Sequence, residues 1–221
     1  GILVGSAFQK NANEQILIDD SGYPIVDLDQ QIIGDPTPDF QIGFSNTFKV
    51  GEQLEITFTV DWRQGGDIWN GTQQVLNYFG RSQESARQRE IQGFIFDGVT
   101  TAGATNTTPV TFLDSNQDVL SNRWSRYGFS GVGESGIVDG TYLNLTDAII
   151  AYDFIKKTKG YQYKTFKSIK LILYGHNLFT YSKYDGASPY TALFDGVSAQ
   201  AINFFNTPLA SEIGFKLNLK I

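Results

Sequence analysis

The chain has 221 residues, a formal net charge of −6 at pH 7 and no cysteine. The lack of cysteine excludes disulfides and thiolate metal sites, and the acidic balance argues against a nucleic-acid partner, because no basic stripe offsets it. Aromatic residues make up 14% of the chain, which also has 23 glycines and 6 prolines. This composition favours strands and turns over helices, and no apolar run approaches the roughly 18 residues of a transmembrane helix.

Residues 1–37 are predicted to lie outside the main sheet, as a hairpin and loop region. Segments 2–9 and 15–18 are apolar enough to pair as a short hairpin. Carboxylates follow between Asp19 and Asp35, without the spacing of a calcium-binding loop. We favour a solvated turn here, with a cation site as the alternative.

The clearest pattern is a pair of alternating segments near 38–49 and 53–64, joined by a short turn. Phe40, Ile42 and Phe44 alternate with polar residues in the first segment, and Leu54, Ile56, Phe58 and Val60 do so in the second. Alternation with period two places the apolar set on one face of an antiparallel hairpin. Eleven residues, tilted by about 45°, span roughly 26 Å, which matches a transmembrane barrel strand. A long hairpin in a soluble β-sandwich is the alternative.

Three more strands are predicted near 141–154, 168–181 and 209–221. Five strands in alternating directions are joined by short, long, short and long connections, so that both long loops, 64–140 and 183–207, fall on one side. The fold class is therefore all-β: an antiparallel transmembrane β-barrel, of which this chain holds about the last five strands. Residues 1–37 form an extracellular region, and 38–221 form barrel strands with long extracellular loops.

The two faces of the sheet lead to different expectations. The apolar face should contact lipid, whereas Glu55, Asp61 and Arg63 should face the lumen. The last strand keeps an unbroken apolar face to Ile221. We expect it to pair on both sides, with the strand near 168–181 and with the first barrel strand, which lies outside this sequence.

The long loop 64–140 lacks periodicity, and a short helix is predicted at 82–90 within it. Its aromatic residues Trp69, Tyr78, Trp124 and Tyr127 are the candidate contacts for a substrate or partner, since aromatic residues dominate interface energetics. Packing of the loop against itself is the alternative for each.

Five segments resemble, in order, the late strands and loops of SusC/RagA-family TonB-dependent outer-membrane transporters. They are Gly-Asp-Pro-Thr-Pro-Asp-Phe at 34–40, residues 58–70 with Gly65-Gly66 and Asn70, residues 139–145, Tyr-Gly-His-Asn-Leu-Phe-Thr at 174–180 with Tyr184-Asp185-Gly186 after it, and the terminal strand 213–221. Asn144 and Ile221 depart from the family pattern, which has a basic residue and a terminal Phe there.

The resemblance implies a barrel of about 22 strands around a plug. It implies import of a bulky nutrient, a glycan or a peptide, across the outer membrane of a Bacteroidota-like Gram-negative cell. The implied partners are a SusD-like surface lipoprotein acting as a lid, TonB through an N-terminal segment absent here, and outer-membrane lipid.

Enzymatic chemistry is not expected. The chain has one histidine, His176, placed by the pattern in a turn into the second loop, and it contains no nucleophile elbow, phosphate-binding loop or zinc spacing. We predict no catalytic residue, metal or cofactor. Two alternatives to the transporter remain, a soluble glycan-binding β-sandwich and a passive porin.

Overall fold

A computed structural model describes most of the chain. It covers residues 1–111, 123, 125–155, 166–184, 186, 188, 189, 191 and 201–221. The helices and strands are, in chain order, β1 (Leu3–Gly5), β2 (Leu17–Ile18), β3 (Gln31–Gly34), β4 (Phe40–Val50), β5 (Leu54–Gln64), β6 (Asp67–Asn70), α1 (Gly71–Tyr78), α2 (Gln83–Gln88), β7 (Val99–Thr100), a 3-10 helix (Gly133–Gly136), β8 (Ile137–Asp139), β9 (Tyr142–Asp153), β10 (Ser168–Ser182), β11 (Ile202–Asn203) and β12 (Glu212–Lys220).

These elements form two compact units. Unit 1 comprises Gly1–Thr37, Asp67–Asp139 and Tyr190–Asn206, and unit 2 comprises Pro38–Gly66, Gly140–Pro189 and Thr207–Ile221. Within the described residues, no helix is long and apolar enough to cross a membrane.

Unit 2 is a five-stranded antiparallel sheet in the order β12-β10-β9-β5-β4. Its strands match the five predicted ones to within a few residues. Gly51, in the turn between β4 and β5, has a φ of +63°, a conformation that glycine adopts without strain. The second predicted short connection lies largely in residues 156–165, outside the described part of the chain.

Register places most of the large apolar residues of the five strands on one face, while Ile149 and Ile172 lie on the other. Phe58, for example, lies opposite Asn46 on β4 and Ala148 on β9, and Leu173 lies between Ile150 and Phe215. Asn46 is a polar member of this face that the alternation did not highlight. The rings of Phe44 and Phe48 lie 5.8 and 6.0 Å from that of Phe58 across the strand pair, and Asn46 between them is only half-exposed.

Two β-bulges lie side by side in the middle of the sheet. Thr146 is an extra residue of β9 relative to β5, and Asn177 and Leu178 of β10 lie opposite it. The prediction of a turn at His176 was wrong, because Asn177, at a φ of +49°, takes up the extra length as a bulge and pairing continues to Ser182.

Unit 1 is built from short strands and two helices. The predicted hairpin between 2–9 and 15–18 was wrong for its first half. β1 pairs with β3 instead, and only the backbone near Gln9 and Leu17 pairs as expected. Separately, β2 pairs with β7, and β6 lies between β11 and β8.

The short helix predicted at 82–90 is confirmed as α2. Its N-cap is Ser82, which forms a capping box with Ser85 and satisfies backbone donors at the helix start. The sequence pattern did not reveal α1, which Asn70 caps by accepting a hydrogen bond from the backbone N–H of Gln73.

Candidate functional site

The polar face of the unit 2 sheet carries the predicted lumen-facing residues. Hydroxyl pairs tie β4 to β5 on this face, with oxygen–oxygen distances of 3.1 Å for Ser45–Thr59 and 2.9 Å for Thr47–Thr57. Such cross-strand pairs stabilise a sheet modestly and hold its polar groups in fixed positions. This face is therefore an ordered array of donors and acceptors.

Glu55 lies near the short-turn end of the sheet. Its carboxylate is 3.7 Å from the ammonium of Lys170 on β10. A polar pocket of about 280 Å³ opens beside it, lined also by Lys49, Glu52 and Asp153. Charges of both signs meet here, and because these side chains are partly exposed, the ion pair itself contributes little to stability.

Asp61 and Arg63 lie toward the opposite end of β5. Asp61 accepts a hydrogen bond from the Thr146 hydroxyl at 3.1 Å, and Nε of Arg63 donates to the Gly65 carbonyl at 3.3 Å. Six residues of strand separate Glu55 from Asp61, roughly 20 Å at about 3.4 Å per residue. The three predicted lumen residues thus share a face but form two separate sites.

Sequence analysis missed a polar pair next to the bulges. The Nδ1 atom of His176 lies 2.5 Å from an Asp147 carboxylate oxygen, and Asn144 on the same strand accepts from the Thr180 hydroxyl at 3.0 Å. No local signal reveals the His176–Asp147 pair, because the two residues meet only through the register of β9 with β10, at the last pair before the bulge. Among the described residues, no group of three or more His, Asp or Glu side chains is arranged to hold a metal ion.

Trp69, on β6, is closely packed by its neighbours in unit 1. Its ring stacks on Phe204, with centroids 6.2 Å apart and planes 10° from parallel. A Cβ atom on Gly71 would lie 2.3 Å from the indole, and one on Gly136 would lie 3.0 Å from its nitrogen. Both positions therefore need glycine to leave room for this ring.

Tyr78, at the end of α1, belongs to a cluster of three rings. It makes edge contacts with Phe79 and Phe129, whose own centroids are 5.8 Å apart. Phe79 and Phe129 are 59% and 48% exposed. Sequence analysis did not select Phe79 or Phe129. Exposed aromatic rings next to the turns at Gly80 and Gly128 are a signal for a contact surface.

Tyr127 is held within unit 1. Its hydroxyl donates to the Pro24 carbonyl at 2.9 Å, and its ring packs edge-on against Phe8 at 5.8 Å. Beside it, Arg126 pairs with Asp19 and lies 4.2 Å from the ring of Tyr23. None of the described ring contacts joins Trp69, Tyr78 and Tyr127 to one another, and Trp124 lies outside the described residues. Contact of these four residues with a substrate or partner stays a prediction.

Burial raises the pKa of Tyr127 above its usual value near 10. The folded state therefore binds the hydroxyl proton of Tyr127 more tightly than the unfolded state does. The free energy of unfolding keeps its full value below about pH 10 and falls as the pH rises above it. We expect Tyr127→Phe to cost about 1 kcal/mol at neutral pH through the lost hydrogen bond, and to weaken the alkaline loss of stability. Limited proteolysis of unit 1 in increasing urea, at neutral and alkaline pH, measures both. If the free energy of unfolding of Tyr127→Phe fell with rising alkaline pH as steeply as that of the unchanged protein, Tyr127 would not be the group responsible.

Comparisons with known proteins show what this sequence and this fold resemble. No family model matches the chain. A "TonB-dependent receptor P3" from Formosa agariphila is 28% identical over 172 residues, which are 77% of this chain and 14% of that protein.

Solved structures show the same fold. Those of the RagAB peptide importer in its closed-closed state and of the RagAB peptide transporter match with a TM-score of 0.56 and 12% identity, over 99% of this chain and 23% of theirs. The open-open state matches with a TM-score of 0.53. The predicted fold class and the resemblance to TonB-dependent transporters of the SusC/RagA type are confirmed. The similar proteins are a receptor and an importer, as expected for a chain that is not an enzyme. The chain spans less than a quarter of the length of each of these similar proteins.

Proposed function

We propose that this chain is the C-terminal barrel portion of a TonB-dependent transporter that imports a bulky nutrient across the outer membrane. One observation carries the proposal: large apolar side chains are exposed in all five strands of the sheet, and in β9 the residues of the polar face are the more buried ones. In β9, apolar Leu143 is 40% exposed while its polar neighbour Asn144 is 3% exposed. Water-soluble proteins bury their apolar face, so this pattern suits a strand that faces lipid.

The same pattern counts against the soluble β-sandwich. A sandwich would cover the apolar face with a second sheet. Here large apolar side chains stay exposed in every strand of unit 2, for example Phe44 at 50%, Leu173 at 48% and Phe215 at 73%. A soluble protein seldom exposes an apolar patch of this extent.

The proposed orientation places the loops outside the cell. The connection from β4 to β5 is short, and the chain leaves the sheet for unit 1 after Gln64 and before Tyr142, at the opposite end of the strands. Outer-membrane barrels have short periplasmic turns and long extracellular loops. Unit 1 would then meet the substrate and a SusD-like surface lipoprotein, while TonB would act through a segment outside this sequence.

The names of the similar proteins support one of the two candidate substrate classes. RagAB is described as a peptide importer, which favours a peptide over a glycan as the imported nutrient. We place the transporter in the outer membrane of a Gram-negative, Bacteroidota-like cell.

Uptake in cells separates an active transporter from a passive porin. We expect a strain that lacks the complete gene to lose uptake of fluorescent oligopeptides, and complementation to restore it. Because TonB-coupled import draws on the proton-motive force, an uncoupler should stop uptake in the complemented strain. Uptake that persists with the uncoupler would indicate a porin, and a protein found in the soluble fraction would contradict a membrane role. A surface lipoprotein should purify with the transporter in mild detergent.

A further inference from the structure

Unit 1 contains an apolar pocket of about 270 Å³ beside Trp69, one of the predicted contact residues. The apolar residues of its lining are Leu3, Val4, Ile33, Trp69 and Ile202. Small residues from the N-terminal strand and from residues 130–133 complete the rim. The volume is slightly below the range of about 300–1,000 Å³ that is typical of sites for whole small molecules. It suits one side chain better than a complete ligand.

The pocket is preformed, because its largest wall cannot turn freely. Trp69 stacks on Phe204 and fits against Gly71 and Gly136, as described above. Trp69 and Ile202 are also opposite each other in the parallel pairing of β6 with β11. A rigid wall loses little conformational entropy when a ligand binds.

The chemistry of the lining favours an apolar guest. None of the described lining residues carries a charge, and the hydroxyl oxygen of Ser6 already accepts a hydrogen bond from the Gly133 N–H at 2.8 Å. The hydroxyls of a sugar buried here would find few partners, which is costly. An aliphatic or aromatic side chain would fill the same space without that cost.

The pocket continues into an exposed apolar strip with free strand edges. Val4 lines the pocket and is 51% exposed, and its cross-strand partner Ile32 is 68% exposed. Among the described residues, β1 and β3 pair as strands only with each other, so each has an outer edge without a strand partner. Just beyond the ends of the two strands, Ser6 accepts a backbone hydrogen bond from Glu134, and Asp35 accepts one from Asp67. An extended peptide can bind along such an edge through its backbone while its side chains enter adjacent pockets.

We propose that this pocket binds an apolar side chain of an extended peptide that lies along the β1–β3 ribbon. The proposal rests on the function proposed above and specifies its substrate: a peptide with at least one large apolar side chain.

The experiment uses the complete transporter purified in detergent, with binding measured by calorimetry. The probes are a Gly/Ser peptide with one central leucine, the same peptide with serine in its place, and a linear glucose oligosaccharide. We expect the leucine peptide to bind at least about tenfold more tightly than the serine peptide, as burial of a leucine side chain implies. Ser130→Trp, at the exposed rim, should remove this preference, whereas the matched Ser21→Trp, away from the pocket, should keep it.

Several outcomes would overturn the proposal. They are no binding of the leucine peptide, equal affinity for the two peptides, a leucine preference that survives Ser130→Trp, or oligosaccharide binding that Ser130→Trp blocks. If the Ser130→Trp variant does not assemble, Val4→Asp takes its place in the binding experiment. A charge at the half-exposed rim should repel the apolar side chain and so remove the preference for the leucine peptide. Binding that follows the prediction while cells show no energy-dependent uptake would reject the transport function and leave the pocket assignment in place.

Discussion

Replacing Phe58 with arginine is expected to destabilise the assembled protein by roughly 2–4 kcal/mol, the cost of a basic residue on the lipid face near the bilayer midplane. Phe58 lies near the middle of β5, opposite Asn46 and Ala148, and its ring contacts Phe44 and Phe48. The variant therefore loses apolar contact area and places a charge in lipid.

Two further variants separate these effects. Phe58→Leu loses the ring contacts and adds no charge, so we expect a smaller loss. Thr57→Arg places the same charge one residue away on the polar face, where it forfeits the 2.9 Å hydrogen bond between Thr47 and Thr57 but stays out of lipid. Urea unfolding of the complete protein in lipid vesicles gives the three free energies. If Thr57→Arg lowered the free energy of unfolding more than Phe58→Arg does, the assignment of the two faces would be reversed.

Deleting residues 217–221 is expected to abolish assembly of the barrel. β12 pairs with β10 from Glu212, opposite His176, to Lys220, opposite Ser168. The deletion would leave half of this edge of β10 without partners, and an unpaired backbone group in lipid costs several kcal/mol. In the proposed barrel, the other edge of β12 pairs with the first barrel strand, so that contact would be lost as well.

The readout is the amount of folded protein in the outer membrane, measured by the heat-dependent mobility shift of folded barrels in gel electrophoresis. The double variant Leu217→Val, Leu219→Val keeps the strand length and the apolar alternation and should assemble normally. Normal insertion and import by the truncated protein would show that β12 is not needed for closure.

The five strands of unit 2 could be predicted because their signal is local. Each strand carries apolar residues on one face and polar residues on the other, so the alternation can be read from neighbouring residues without knowledge of the pairing. Runs such as Leu54, Ile56 and Phe58 have one plausible conformation. The boundaries, the strand directions and the two faces followed from this pattern.

The partners of each residue could not be predicted in the same way. The bulges at Thr146 and at Asn177 shift the register on both sides of β9. The bulge at Thr146 brings its hydroxyl to Asp61. His176 meets Asp147 in the register that precedes the bulge and runs unbroken from Lys170, opposite Asp153. On the other face of the sheet, the bulge places the side chain of Leu178 over Gly175. A Cβ atom added to Gly175 would lie 2.7 Å from the Leu178 side chain.

The structure of unit 1 could be predicted less well than that of unit 2, because short strands and helices carry little periodic signal. β1 pairs with β3 across nearly thirty residues of chain, and the wall of the apolar pocket joins residues from three distant segments. By itself, the sequence determined the five long strands, their directions and the division of the sheet into an apolar and a polar face, since these depend on the pattern within each strand. Only the tertiary structure decided the register, the His176–Asp147 pair and the pocket beside Trp69, since these depend on contacts between segments far apart in the chain.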